Sequence, residues 1–233
     1  MRMVGEKAVW GSQQNLLREM LSKTDQFDAA IQLCLEQHAM VHASEMSQID
    51  AVTFEDELWE GLEEAAFRAR PGVKDSTVAW NLWHVTRIED ITVNILIADE
   101  AQVMNRDQWL QKLNVTVCDT GNAMTEEEIA DLSSVIDMQE LYKYRVAVGR
   151  KTREVVQKLQ PADLKRKVAP EGLQRILAEG AVLDVEGANW LIDFWGRKNV
   201  AGILLMPVTR HLMVHMNEAM RIKTRCGALR GKR

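Results

Sequence analysis

MPVTRHLMVHMNE, residues 206–218, sets two histidines, His211 and His215, four positions apart in an apolar segment of helical periodicity. Side chains at i and i+4 leave one face of a helix about one turn apart, so two imidazoles there can reach one metal ion. Pro207 falls one turn ahead of His211 and predicts a kink, because proline has no N–H to donate and its ring crowds the preceding turn. The bend either eases the helix around the core or, through a freed carbonyl, sets the positions of the imidazoles. A single helix through this stretch puts the pair on one face with Leu204, Val208 and Glu218. Alone, the pair is weak evidence for a metal, since many such histidines are surface or hydrogen-bonded core residues. A third ligand and a scaffold to hold it have to come from elsewhere in the chain.

The 233 residues carry 29 Lys and Arg against 34 Asp and Glu, a net charge of −5. With 46% hydrophobic and 27% charged residues there is enough apolar material for a globular core, and the length suits one domain over 1–233. The mild acidity argues against phosphate-backbone binding, so no nucleic-acid partner is expected. The basic stretch Arg221–Arg233 is the local exception and reads as a solvated helix end whose cations suit the macrodipole. Cys34, Cys118 and Cys226 form no CxxC pair and are odd in number, as expected of reduced thiols in a cytoplasm. No apolar run follows Arg2 and Lys7, and the longest one, Val200–Val208, is too short to span a bilayer. The expectation is a cytoplasmic protein without a membrane partner.

Four stretches predict long helices. Phe27, Ile31, Leu35, His38 and His42 recur at steps of three to four behind Asp25 as a cap; Trp80, His84, Ile88, Ile91 and Ile95 do so from about Ser76. Leu141, Tyr144, Val148, Val155 and Leu159 form a third stripe, opened by Asp137-x-x-Glu140 and ended by Gln160-Pro161. The last helix runs from about Asn199 to Lys223, with Gly227 as its stop. Thr53-x-x-Asp56 and Thr125-x-x-Glu128 are capping boxes of shorter helices. Residues 1–22 read as a short amphipathic N-terminal arm and 224–233 as a basic C-terminal tail. The segment 161–197 is broken by proline and glycine into short helices, one carrying Trp190, Phe194 and Trp195. No strand alternation or repeat is visible, so the fold class is all-α: a four-helix bundle with additional short helices in its connections.

His84 falls on the core stripe of the second long helix and is the candidate third ligand. Three imidazoles leave a metal with open positions, the catalytic rather than the structural arrangement. Competing chemistries lack their signatures: no phosphate loop, no G-x-S-x-G, no HExxH. Asn81, Val208 and Leu212 stand where the Glu-x-x-His pairs of di-iron bundles need glutamate.

The runs TVAWNLWHVTRIEDITVNILI (77–97) and LLMPVTRHLMVHMNEAM (204–220) resemble the DinB/YfiT-like superfamily of metal-binding helical bundles. The resemblance extends by element order from Asp25 to Lys223 and rests on three histidines and the apolar WxxH setting. In that superfamily a histidine of the second bundle helix joins an HxxxH pair of the last helix on one divalent metal. The matching positions are His84, His211 and His215. The resemblance implies a fold and a metal site more firmly than a reaction; some relatives are thiol-dependent transferases or isomerases. The long insertions at 99–136 and 161–197 depart from the shortest members and leave a substrate pocket unassigned.

The expected cofactor is one divalent transition metal ion, zinc or nickel, with iron as a third choice. The expected function is a mononuclear metalloenzyme activating a thiol or water, as an S-transferase or a hydrolase, on a low-molecular-weight thiol or a small electrophilic substrate. The alternative is a non-catalytic metal-binding bundle with a regulatory or stress-related interaction role; a purely structural bundle with core histidines is the third. Arg87, one turn from His84, is a candidate for binding an anionic substrate, against an ion pair with Glu89 or Asp90. Glu218 is a candidate to orient a ligand. His38 and His42 are read as structural or exposed and left out of the metal set, and Trp80 and Trp83 as core or pocket wall. A symmetric homodimer is the default assembly for such bundles.

Overall fold

The computed structural model describes residues 2–72 and 75–230, the side chains of 2–6 and 228–230 excepted. Six helices organise it: α1 (Arg2–Met20), α2 (Phe27–Met40), α3 (Val78–Ile91), α4 (Met138–Lys158), α5 (Val200–Leu205) and α6 (His211–Arg230). The bundle is α2, α3, α4 and the α5–α6 arm, with α3 in the middle: it packs against both α4 and α6, and α2 packs against α4. No strand occurs among the described residues, apart from an isolated bridge between Lys167 and Asn199. No described helix is long and apolar enough to cross a membrane.

Local chemistry explains most boundaries. Thr53 and Thr125 close their capping boxes, each hydroxyl taking the amide three residues on while Asp56 and Glu128 return to the cap N–H. Asp137 accepts from the amides of Gln139 and Glu140 at the start of α4. Thr77 caps α3, accepting from Trp80 N at 2.8 Å. Asp25 does not cap α2; it lies in a 3-10 turn, Thr24–Gln26, that leads into the helix.

Residues 2–20 form a helix with one buried face. Trp10, Gln14, Leu17 and Leu21 recur at steps of four, three and four and are all buried. Trp10 donates to Gln37 O of α2. At the other terminus α6 runs through Gly227 to Arg230, so residues 224–230 continue the helix; 231–233 lie outside the described residues.

The arm that carries the histidine pair is not one regular helix. Between α5 and α6 the residues Met206–Arg210 form a π turn, in which the amide of His211 reaches back to Met206 O. Pro207 supplies no amide there, and the displaced carbonyls are taken by side chains. Thr209 Oγ1 donates to Leu204 O and Leu205 O, and Gln14 of α1 donates to Leu205 O at 3.0 Å. One extra residue in a turn rotates everything beyond it by about 100°. Leu204 and Val208 are fully buried, yet beyond the turn the buried stripe is Leu212, Met216, Ala219 and Ile222. His211, His215 and Glu218 therefore do not continue the Leu204–Val208 stripe; they stand half-buried at the edge of the new one.

Helix α3 is buried on nearly every side. Its first half joins one apolar cluster with Phe54, Leu141, Tyr144 and Leu212; its second half joins another with Leu17, Val155, Trp195 and Leu204. Thr86, Arg87, Glu89 and Asp90 fall at the changeover, a buried polar layer between two apolar cores.

Candidate metal centre

Three helix positions, one loop carbonyl and one side chain of α3 build the site. His84 leaves α3 only 3% exposed. Its Nδ1 lies 2.7 Å from the carbonyl oxygen of Thr120. A carbonyl only accepts, so Nδ1 carries the proton and Nε2 keeps its lone pair. His215 Nδ1 lies 2.7 Å from Asn81 Oδ1. The amide of Asn81 is held in that sense because its Nδ2 donates to Ser76 Oγ at 2.7 Å and Thr77 O at 2.8 Å. His215 thus also presents a bare Nε2. His211 Nε2 stands 3.2 Å from His84 Nε2, and its Nδ1 is buried without a hydrogen-bond partner.

The three ring centroids are 4.6 to 5.0 Å apart, and one ligand atom from each lies within 4.8 Å of the others. Burial is the main reason all three stay neutral. It pushes His84 down to about 3, helped by His215 and opposed by the Thr120 bond, and His215 down to about 4. Burial, with His84 and His215 nearby, also holds His211 well below the usual histidine range. Neutral imidazoles whose outer N–H is anchored from behind are the form that ligates a metal, and this donor set suits a divalent transition ion. Trp80 stacks on His84 at 4.8 Å and 5° and meets His215 edge-on, forming one wall.

Both insertions reach this centre. Thr120, from the first, is fixed by its own amide, which donates to Ala181 O of the second. Gly121 has φ +72°, and a Cβ there would stand 2.9 Å from Trp80 Nε1 and 3.3 Å from Met124 Sδ, so glycine is required by both conformation and space. The segment Asp119–Met124 borders a cavity of about 530 Å³ lined by Val115, Val117, Asp119, Met124, Leu132 and Leu183.

Other candidates fall elsewhere. Arg87 is 1% exposed; it donates to Asp90, Tyr144, Gln102 and Cys118 O, so its whole guanidinium is engaged within the polar layer. Glu218 pairs with Arg221, and His215 takes its orientation from Asn81 instead. Trp83 is fully buried core. His38 and His42, expected to be structural or exposed, are buried beside Glu89, which faces both. Sequence reasoning missed Asn81 and Thr120 as holders of the imidazoles. Asn81, one turn before His84, carried a faint signal; a backbone carbonyl carries none.

The model of the DinB superfamily matches residues 56–219, which is more than half of the chain and includes all three histidines. The chain belongs to the DinB superfamily. Among solved structures this bundle is similar to the conserved protein of locus from Enterococcus faecalis, at 18% identity and a TM-score of 0.57, covering 83% of this chain and 95% of that one. At that identity the likeness concerns the fold alone. No match was found among curated proteins. In this DinB-type bundle, the ordering that the sequence resemblance implies, one histidine on a central helix and two on the last, coincides with the convergence of His84, His211 and His215.

Proposed function

We propose that this protein binds one divalent transition metal, zinc or nickel before iron, through His84, His211 and His215, and acts as a metal-dependent transferase or hydrolase on a small thiol or electrophile. The observation that supports it most is the set of three neutral imidazoles converging on one point, two of them with Nδ1–H already committed to Thr120 O and Asn81 Oδ1. When bound, such an ion supplies Lewis acidity that makes a thiol or water a nucleophile near neutral pH. The protein's own residues then orient and exclude. Trp80 covers the His84 side, and the cavity beside Met124 has the volume of a small-molecule site, its apolar wall of Val115, Val117, Leu132 and Leu183 facing polar groups that include Asp119, Glu128 and Asp131.

A second reading is a metal-binding bundle without catalysis, in a regulatory or stress-related interaction. It is favoured by one observation: none of the three histidines lines that cavity. Metal analysis of protein purified without a histidine tag tests the common premise. Bound metal is expected to fall in His84→Ala and in His211→Ala; unchanged content in both would remove the site. A thiol-transfer assay with several low-molecular-weight thiols and a reactive electrophile separates the two readings. Turnover that survives chelation and all three histidine substitutions would sink the mechanism.

A further inference from the structure

The HxxxH spacing occurs twice in this chain, and both times α3 completes the cluster. His211 and His215 meet His84; His38 and His42 meet Glu89. His38 lies in the last turn of α2 and His42 in the bend that closes it, where its amide returns to Ala39 O. His38 Nε2 is 2.7 Å from Glu89 Oε1, and His42 Nε2 is 2.9 Å from Glu89 Oε2. The two rings tilt at 47° with centroids 4.4 Å apart, and all three side chains are at most 1% exposed. Glu89 follows His84 by five residues, about 7.5 Å along α3 and 140° around it. The two clusters thus lie on different sides of the helix and do not share one ion.

Charge makes this second cluster incomplete as it stands. Glu55, close by, is fully matched: Arg145 Nε and Nη2 grip its two oxygens at 2.6 and 2.7 Å, while Nη1 goes to Thr86 Oγ1. Among the described residues Glu89 has no guanidinium or ammonium group within ion-pair distance; its oxygens meet the two imidazoles, and Arg145 acts on it only from further off. Two buried carboxylates, Glu55 and Glu89, meet one buried guanidinium, so a cation held between Glu89 and the two imidazoles completes the cluster. Room for the arrangement has been made at the expense of helix propensity. Gly149 sits in the interior of α4, and a Cβ there would stand 3.0 Å from His42 Nδ1 and 2.7 Å from Met46 Cγ. Glu55 Oε2 lies 3.8 Å from His42 Nδ1, within reach of a small ring tilt, the carboxylate–histidine pattern that supports a ligating imidazole.

We propose that His38, His42 and Glu89 form a second, structural metal site that takes a divalent transition ion of the zinc class and ties the end of α2 to α3. Two imidazole nitrogens and the Glu89 carboxylate make the donor set, and the sealed surroundings, which keep substrate out, assign it to folding rather than to reaction. This site is independent of the three-histidine centre.

Stripped, tag-free protein re-equilibrated with zinc is expected to hold about two ions per chain, and the His84→Ala/His211→Ala variant about one. Glu89→Gln in that double-variant background, which keeps size and shape, is expected to weaken the remaining zinc at least about tenfold with unchanged circular dichroism. A folded His84→Ala/His211→Ala protein that holds no zinc overturns the proposal and leaves the first centre untouched. So does zinc affinity that ignores Glu89→Gln, since the ion then lies elsewhere. Should either variant fail to fold, anomalous scattering at the zinc edge from crystals of the intact chain decides. A peak among His38, His42 and Glu89 is expected; none under saturating zinc means that a proton on an imidazole supplies the cation.

Discussion

Asn81→Leu isolates the role of the residue that holds His215. Asn81 is 1% exposed, and leucine is close to it in volume, so the change deletes hydrogen bonds without opening a cavity. Thr77 O keeps the backbone amide of residue 81 as donor at 3.1 Å, and Ser76 Oγ has access to solvent. The uncompensated loss falls on His215, whose Nδ1–H gave the 2.7 Å bond to Asn81 Oδ1. A buried donor left without an acceptor costs about 1–3 kcal/mol, which for a chain of this size lowers Tm by several degrees. Removing the partner of a ligating histidine weakens metal binding by about 10–100-fold, or about 1.4–2.8 kcal/mol. The assay is competition for zinc between the metal-free protein and a chromophoric chelator, paired with thermal melts with and without zinc. If Asn81→Leu binds zinc within about twofold of the parent, the anchoring argument is wrong.

Two more outcomes follow from buried charge. Arg87→Met should destabilise the fold by about 3–5 kcal/mol, because it strands the Asp90 carboxylate that also holds the amides of Val103 and Met104. Metal content should not change; an altered KM with an unchanged melting temperature would instead restore Arg87 to substrate binding. Acid should unfold the metal-free protein early. Burial depresses His38 to about 4, with His42 beside it opposing its charge and Glu89 favouring it; His84 falls to about 3 and His215 to about 4. Below about pH 6.5 the unfolded chain takes up protons that these folded histidines refuse, so stability falls as pH drops from about 6.5 to 4. His38 alone accounts for on the order of 3 kcal/mol of that loss. Denaturant melts from pH 7 to 4.5 measure it; a flat profile would show that the histidines protonate freely in the folded state.

Within one element, the amino-acid sequence by itself determined a good deal. Hydrophobic periodicity placed the bundle helices, and Thr53, Thr125 and Asp137 marked helix starts that the structure shares, because a cap is chemistry between residues two or three apart. The three histidines that converge were legible as a pair plus a core-stripe partner. Tertiary structure decided what depends on which elements face each other. The π turn at Pro207 rotated α6, so His211 and His215 left the stripe of Leu204 and Val208; a single period carried through the segment has no means of registering that extra residue. Asp25 lost its capping role to a 3-10 turn, and the N-terminal residues gained a place in the core through the contacts of Trp10 and Gln14. Thr120 holds His84 through a backbone carbonyl, which every residue possesses. Arg87 and Glu89 read as helix-surface charges until α3 proved to be enclosed on nearly all sides, where each needs its partners from α2, α4 or a loop. Sequence spacing fixes neighbours along a helix, but contacts between helices follow from packing, and the chemistry of MPVTRHLMVHMNE lies in those contacts.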